Sequence, residues 1–220
     1  MSVSRRDFFR RLLLWGGIPV SVMGAAAWGL NRKLNPHTPL GYPFPAASGT
    51  ARQPTPECAE REPTERVTEG PFYKPDTPER RNLRGADTAG APLTLRGRVV
   101  SQDCRPLAGA VVDVWSCDGN GVYDNAGFRL RGHQFTDADG TFTFETVKPR
   151  DYRDFGIHRT PHIHVKVQGR ETRLLTTQLF FPGEPLNESD YFFREELLVQ
   201  LRRSPSGTPE GWFEFVLPYA

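Results

Sequence analysis

Apolar and polar residues alternate with a period of two in short runs, separated by turns carrying glycine or proline. This pattern predicts strands over 93–100, 110–115, 141–145, 159–167, 176–181 and 212–217. The run 103–109, with Pro106 and Gly109, reads as a turn, so the first two strands are expected to form a hairpin. Another turn is expected over 136–140. Tyr123 falls in a loop with Gly119, Gly121 and Gly127, and Tyr152 in a loop after Pro149. Residues 191–203 suit one short helix near the C-terminus. Short strands at regular spacing predict an all-β fold, a β-sandwich whose long loops carry the chemistry.

Composition supports that class. Gly (21) and Pro (20) are abundant, which favours a turn-rich β protein over a helical bundle. The net charge is only +2, and no basic stripe interleaves with aromatics, so a nucleic-acid partner is not indicated. Three cysteines, Cys58, Cys104 and Cys117, have no zinc spacing and are too few for a disulfide scaffold.

Three regions follow. Residues 1–30 hold Arg5-Arg6-Asp7-Phe8-Phe9 and then an apolar run from Leu12 to Leu30, the pattern of a Tat-type signal. Arg32 and Lys33 beyond the run leave a membrane anchor open as the alternative. Residues 31–60 are a proline-rich linker, and 61–220 form the folded domain. Export implies an oxidising compartment, where Cys58 would pair with Cys104 or Cys117; three unpaired thiols is the other reading. The membrane is expected to matter only through the N-terminal segment. Homo-oligomerisation stays open.

The candidate chemistry begins at Arg159-Thr160-Pro161-His162-Ile163-His164. On a strand, His162 and His164 share a face, and two imidazoles on one face can hold a metal ion. Alone, such a pair is as well explained by two core or surface histidines. His133 and His158 are not part of this pattern.

Around that pair the chain carries Thr68-Glu69-Gly70-Pro71-Phe72-Tyr73, then Trp115 and Tyr123. It continues with Thr136-Asp137-Ala138-Asp139-Gly140, Lys148-Pro149-Arg150-Asp151-Tyr152 and Thr177-Gln178-Leu179-Phe180-Phe181-Pro182-Gly183. In this order the pieces resemble the intradiol ring-cleavage dioxygenases, the family of the protocatechuate 3,4- and catechol 1,2-dioxygenases. The likeness spans roughly residues 64–190 and is nearest to short, exported members.

The resemblance implies one mononuclear non-haem Fe(III) held by Tyr123, Tyr152, His162 and His164. Tyr152 would be the tyrosinate that leaves when substrate binds. Arg159 would sit beside the substrate ring, Gln178 would position substrate, and Trp115 and Tyr73 would line the pocket. The implied reaction opens a catechol-type ring with O2 to a cis,cis-muconate-type product. Charge counting agrees with this ligand set. Two tyrosinates and one hydroxide neutralise a trivalent ion, and an arriving catechol dianion replaces the hydroxide and one tyrosinate. Arg150 and Arg153 at the rim would favour a carboxylated catechol such as protocatechuate. The competing reading is a non-catalytic sandwich module of the transthyretin-like or carboxypeptidase-regulatory-like kind, suggested by the runs 106–111 and 140–144.

Overall fold

The computed structural model describes residues 61–204 and 207–220. The signal or anchor at 1–30, the linker at 31–60 and Cys58 lie outside the described residues. The expected strands form, with four more among them. One four-stranded sheet runs β4 (Thr141–Val147), β1 (Pro92–Ser101), β10 (Pro209–Leu217), β9 (Gln200–Arg203). The other runs β3 (Arg131–Phe135), β2 (Val111–Trp115), β7 (His162–Gln168), β8 (Leu175–Phe180). A separate hairpin joins β5 (Tyr152–Asp154) to β6 (Ile157–Arg159).

Alternation decides what each sheet buries. Leu95, Val99, Phe142, Phe144, Phe213 and Phe215 come from the first sheet. They meet Val112, Val114, Ile163, Val165, Val167 and Leu179 from the second in one core. Phe215 packs at 4.9 Å from Phe213 and 5.9 Å from Phe142, between ring centroids. The opposite face of the second sheet carries His162, His164, Trp115 and Gln178, and these too are buried. Both faces of that sheet are therefore covered, the outer one by loops.

Three expectations are corrected. The strands flanking residues 103–109 do not form a hairpin, because β1 pairs with β4 and β10 while β2 pairs with β3 and β7. Both edges of each strand are taken, and the turn, with Cys104 at φ 60°, carries the chain from one sheet to the other. The C-terminal helix is also absent. Residues 195–197 make a single 3-10 turn, and Val199 N–H then bonds Phe180 O at 2.9 Å, drawing the chain out along β8. Tyr152, expected in a loop, starts β5. Cys104 is disulfide-bonded, and Cys117 is a free, buried thiol.

Candidate metal centre and active site

Strand register lays the site out as a row across the outer face of the second sheet. Arg131 lies opposite Trp115, Trp115 opposite His164, and His164 opposite Gln178. Because the side-chain period is two, His162 stands on the same face as His164, one pair further along. The two Nε2 atoms are 3.2 Å apart. Tyr152 Oη reaches His162 Nε2 at 3.5 Å, and the Tyr123 and Tyr152 rings meet edge-on at 5.4 Å. The structure thus brings together the four expected side chains, two from one strand, one from the β5–β6 hairpin and one from a loop.

Each is held by its own local chemistry. His162 Nδ1 lies 2.6 Å from Thr160 O, so it donates there and leaves a lone pair on Nε2. His164 stacks flat on Trp115, with 4.9 Å between centroids and 5° between planes. Gly70 also approaches the His164 ring: a Cβ there would come within 3.1 Å of His164 Cε1, a tight contact, and φ at Gly70 is +71°, a backbone conformation that favours glycine.

Tyr123 is set by two aspartates. Asp118 Oδ1 accepts from Asn120 N and Val122 N, and Asp124 accepts from the amides of Ala126, Gly127 and Arg129. Such Asx turns shape a loop without a strand ladder. Phe72 stacks on the Tyr123 ring at 4.3 Å. Gly121, at φ +79°, lets this loop approach Tyr152, since a Cβ there would stand 3.2 Å from Tyr152 Cβ. Buried Arg131 ties the pieces together, donating to Phe72 O at 2.5 Å and Asp124 O at 2.9 Å.

Arg159 pairs in register with Tyr152 across the hairpin. Its Nη2 donates to Gln178 Oε1 at 2.6 Å, and Gln178 Nε2 donates to Thr68 O at 2.9 Å. Trp115 backs His164, and the Tyr73 ring tilts on Trp115 at 4.8 Å with its hydroxyl on Asp113 Oδ2 at 3.2 Å. Phe72, which sequence reasoning did not single out, is the ring against both tyrosines. Free Cys117 packs in the same cluster with Trp115 and Tyr123.

The rim arginines are placed differently from the expectation. Arg153 alternates with Tyr152 and so points to the other face of the hairpin, alongside its register partner His158. Arg150 is exposed and reaches Asp151 at 3.7 Å. His158 bonds Asp151 at 2.7 Å, and His133 faces Thr77, so neither joins the His162–His164 pair.

Burial pushes the Tyr123 phenol well up, with neighbouring Tyr152 adding to it. Burial also raises Tyr152, against the pull of Arg159. It pushes His162 down to about 3 and His164 well below its usual value, Arg159 acting in the same direction on both. All four groups are neutral at pH 7 in the metal-free protein. Tyr123 Oη and His164 Nδ1 have no hydrogen-bond partner among the described residues. Buried polar atoms in that condition cost roughly 1–3 kcal/mol each.

A pH dependence follows. The unfolded chain binds protons on these histidines below about pH 6.5, whereas the folded chain does not. Their stabilising effect is complete above that pH and is lost as pH falls toward the folded values. At about pH 5.5 part of that effect is already lost, on the order of 1 kcal/mol per histidine. Thermal unfolding of the metal-free protein should show a lower midpoint there than near neutrality; an unchanged midpoint would contradict the buried neutral pair.

The chain is similar in sequence and fold to known proteins. A family model described as "Dioxygenase" matches residues 68–218. Catechol 1,2-dioxygenase 1 of Acinetobacter lwoffii is 32% identical over 176 residues, 67% of this chain and 56% of that protein. A hydroxyquinol 1,2-dioxygenase of a Rhizobium species is 32% identical over 177 residues, 66% of this chain and 59% of that protein. The chain therefore spans less than two thirds of the length of these curated relatives. Among solved structures, the dioxygenase domain of a dioxygenase carbohydrate-binding protein fusion from Streptomyces sp. SirexAA-E is 46% identical. It aligns at TM-score 0.65 over 72% of this chain and all of that one. A 3-chlorocatechol 1,2-dioxygenase of Rhodococcus opacus aligns at 0.68 with 28% identity, over 72% of this chain and 73% of that one. With its matched region covering most of the chain, and with two histidines on one sheet face met by tyrosines from a loop and a hairpin, this protein belongs to the family of the intradiol ring-cleavage dioxygenases.

Proposed function

We propose that this protein opens the ring of a catechol-type aromatic between its two hydroxyl-bearing carbons, using O2 and one mononuclear non-haem Fe(III). The observation that carries the reading is the convergence of Tyr123, Tyr152, His162 and His164, with the buried Tyr123 Oη left without a hydrogen-bond partner among the described residues. The donor set fits the ion. Two phenols and two neutral imidazoles, with no carboxylate, suit a hard trivalent cation that converts phenols to phenolates. Iron(III) held there would make a chelated catecholate reactive toward O2.

The chain's own residues do the rest. Tyr123 is buried and locked by its Asx-turned loop, whereas Tyr152 is partly exposed on a short hairpin. With the ion bound, Tyr152 would be the phenolate freer to leave, and its Oη would be the atom placed to accept one catechol proton. Arg159 presents a fixed guanidinium to the negative charge that develops on the ring. Gln178, held between Arg159 and Thr68, keeps that guanidinium in place.

The relatives named for catechol, hydroxyquinol and 3-chlorocatechol support an unsubstituted or hydroxyl- or chloro-bearing ring. The outward turn of Arg153 gives no support to a carboxylated one. We also propose export by the Tat route, on the Arg5-Arg6 pattern and the disulfide at Cys104, a bond typical of oxidising compartments.

The test is oxygen uptake by iron-loaded protein given catechol. One O2 should disappear per catechol, and both oxygen atoms should enter a ring-opened dicarboxylic product. Binding of catechol with no oxygen uptake would leave a non-catalytic sandwich module as the better reading.

A further inference from the structure

Asp190 lies in the 3-10 turn region after β8 and is buried, its side chain fully so. Its Oδ2 accepts from Arg159 Nε at 2.9 Å and from Thr160 N at 2.8 Å. Its Oδ1 accepts from Phe192 N at 2.9 Å, and the Phe192 ring lies against the Arg159 guanidinium at 4.7 Å. One carboxylate therefore fixes the side chain of Arg159, the next residue's amide and the ring that covers the guanidinium. Asn187 reinforces the same junction, accepting from Thr160 Oγ1 at 2.7 Å and donating to Phe181 O at 2.9 Å.

The consequence is geometric. Arg159 Nε goes to Asp190 and Nη2 to Gln178, while Nη1 bonds none of the described residues. A guanidinium is planar, so two fixed nitrogens fix the third. Without the carboxylate, Arg159 would keep one anchor and could turn about it, and a buried cation would stand beside a trivalent ion with nothing to offset its charge.

We propose that Asp190 is a positioning residue for the reaction, acting through Arg159 to aim Nη1 at the substrate. This rests on the role given to Arg159 above. Oriented charge stabilises a transition state without reorganising at the moment of reaction, so loss of orientation should appear in kcat.

The experiment is a double-mutant cycle on iron-loaded protein with catechol, using Asp190→Asn, Arg159→Ala and both together. Asp190→Asn should keep the visible absorption of the parent and lose about 10- to 100-fold in kcat with little change in KM, the range for groups that orient a site. In the Arg159→Ala background the same change should cost less than about twofold. Full kcat in Asp190→Asn, or an equal loss in both backgrounds, would overturn the proposal. Should Asp190→Asn fail to fold, Asp190→Glu keeps the charge but displaces it, and the same cycle applies with a smaller expected loss. A readout independent of turnover separates this inference from the proposed function. In metal-free protein, the Arg159 Nε–H should give a slowly exchanging NMR signal that Asp190→Asn abolishes. A parent protein with that signal but no oxygen uptake would sink the proposed function alone, and a parent without the signal would sink the pairing itself.

Discussion

His164→Ala is expected to give a folded protein that holds no iron, shows no visible colour and takes up no oxygen with catechol. His164 is fully buried, stacked on Trp115, approached by Gly70 and 3.2 Å from His162 through its Nε2. Gln178, beside it in register, is already bonded to Arg159 and Thr68 and is not free to take its place. Activity should fall more than about a hundredfold, beyond the range seen when only an outer partner of a metal ligand is lost. Iron content per chain and the visible spectrum are the checks. A coloured, active His164→Ala protein would show that the metal is held elsewhere.

Arg159→Ala should separate catalysis from metal binding. Arg159 is outside the four-donor set, so iron and its colour should be retained. Removing a preorganised cation from the reacting centre should cost about 10²–10³-fold in kcat. The change also leaves Asp190 buried without its cation, and breaking a buried pair in that way costs roughly 3–5 kcal/mol of stability. Adding Asp190→Asn should return part of the thermal stability and none of the activity. If Arg159→Ala turned over catechol at the parental rate, Arg159 would be a structural residue whose role ends at Asp190.

The parts of this site that were legible in sequence are those on regular strands. His162 and His164 share a face because strand side chains alternate, and the row from Trp115 to Gln178 follows from the same rule once register is known. Tyr123 and Tyr152 were not legible from spacing, since one lies in a loop built by Asp118 and Asp124 and the other on a three-residue strand. Only family resemblance pointed to them. The tip of the hairpin carrying Tyr152 was not legible either, because Phe155 takes a positive φ beside Gly156, a conformation that sequence does not predict for a bulky residue. Strand β3, Arg131-Gly132-His133-Gln134-Phe135, does not alternate apolar with polar, because its outward face buries polar side chains under the loops that cover the site.

The mistaken hairpin of β1 with β2 has a similar cause. A turn between two strands specifies neither partner, and β1 instead pairs in parallel with β10, more than a hundred residues away in sequence. Asp190 could not have been singled out by any local pattern. Its importance lies in contacts made thirty residues back along the chain, to Arg159 and Thr160.

The central claim is that two phenolates and two imidazoles hold one Fe(III). The visible absorption spectrum of the iron-loaded protein, recorded before and after adding catechol under nitrogen, tests it most directly. A red-brown tyrosinate charge-transfer band that moves to longer wavelength with catechol is the predicted result. A protein that stays colourless after exposure to Fe(III) would contradict it.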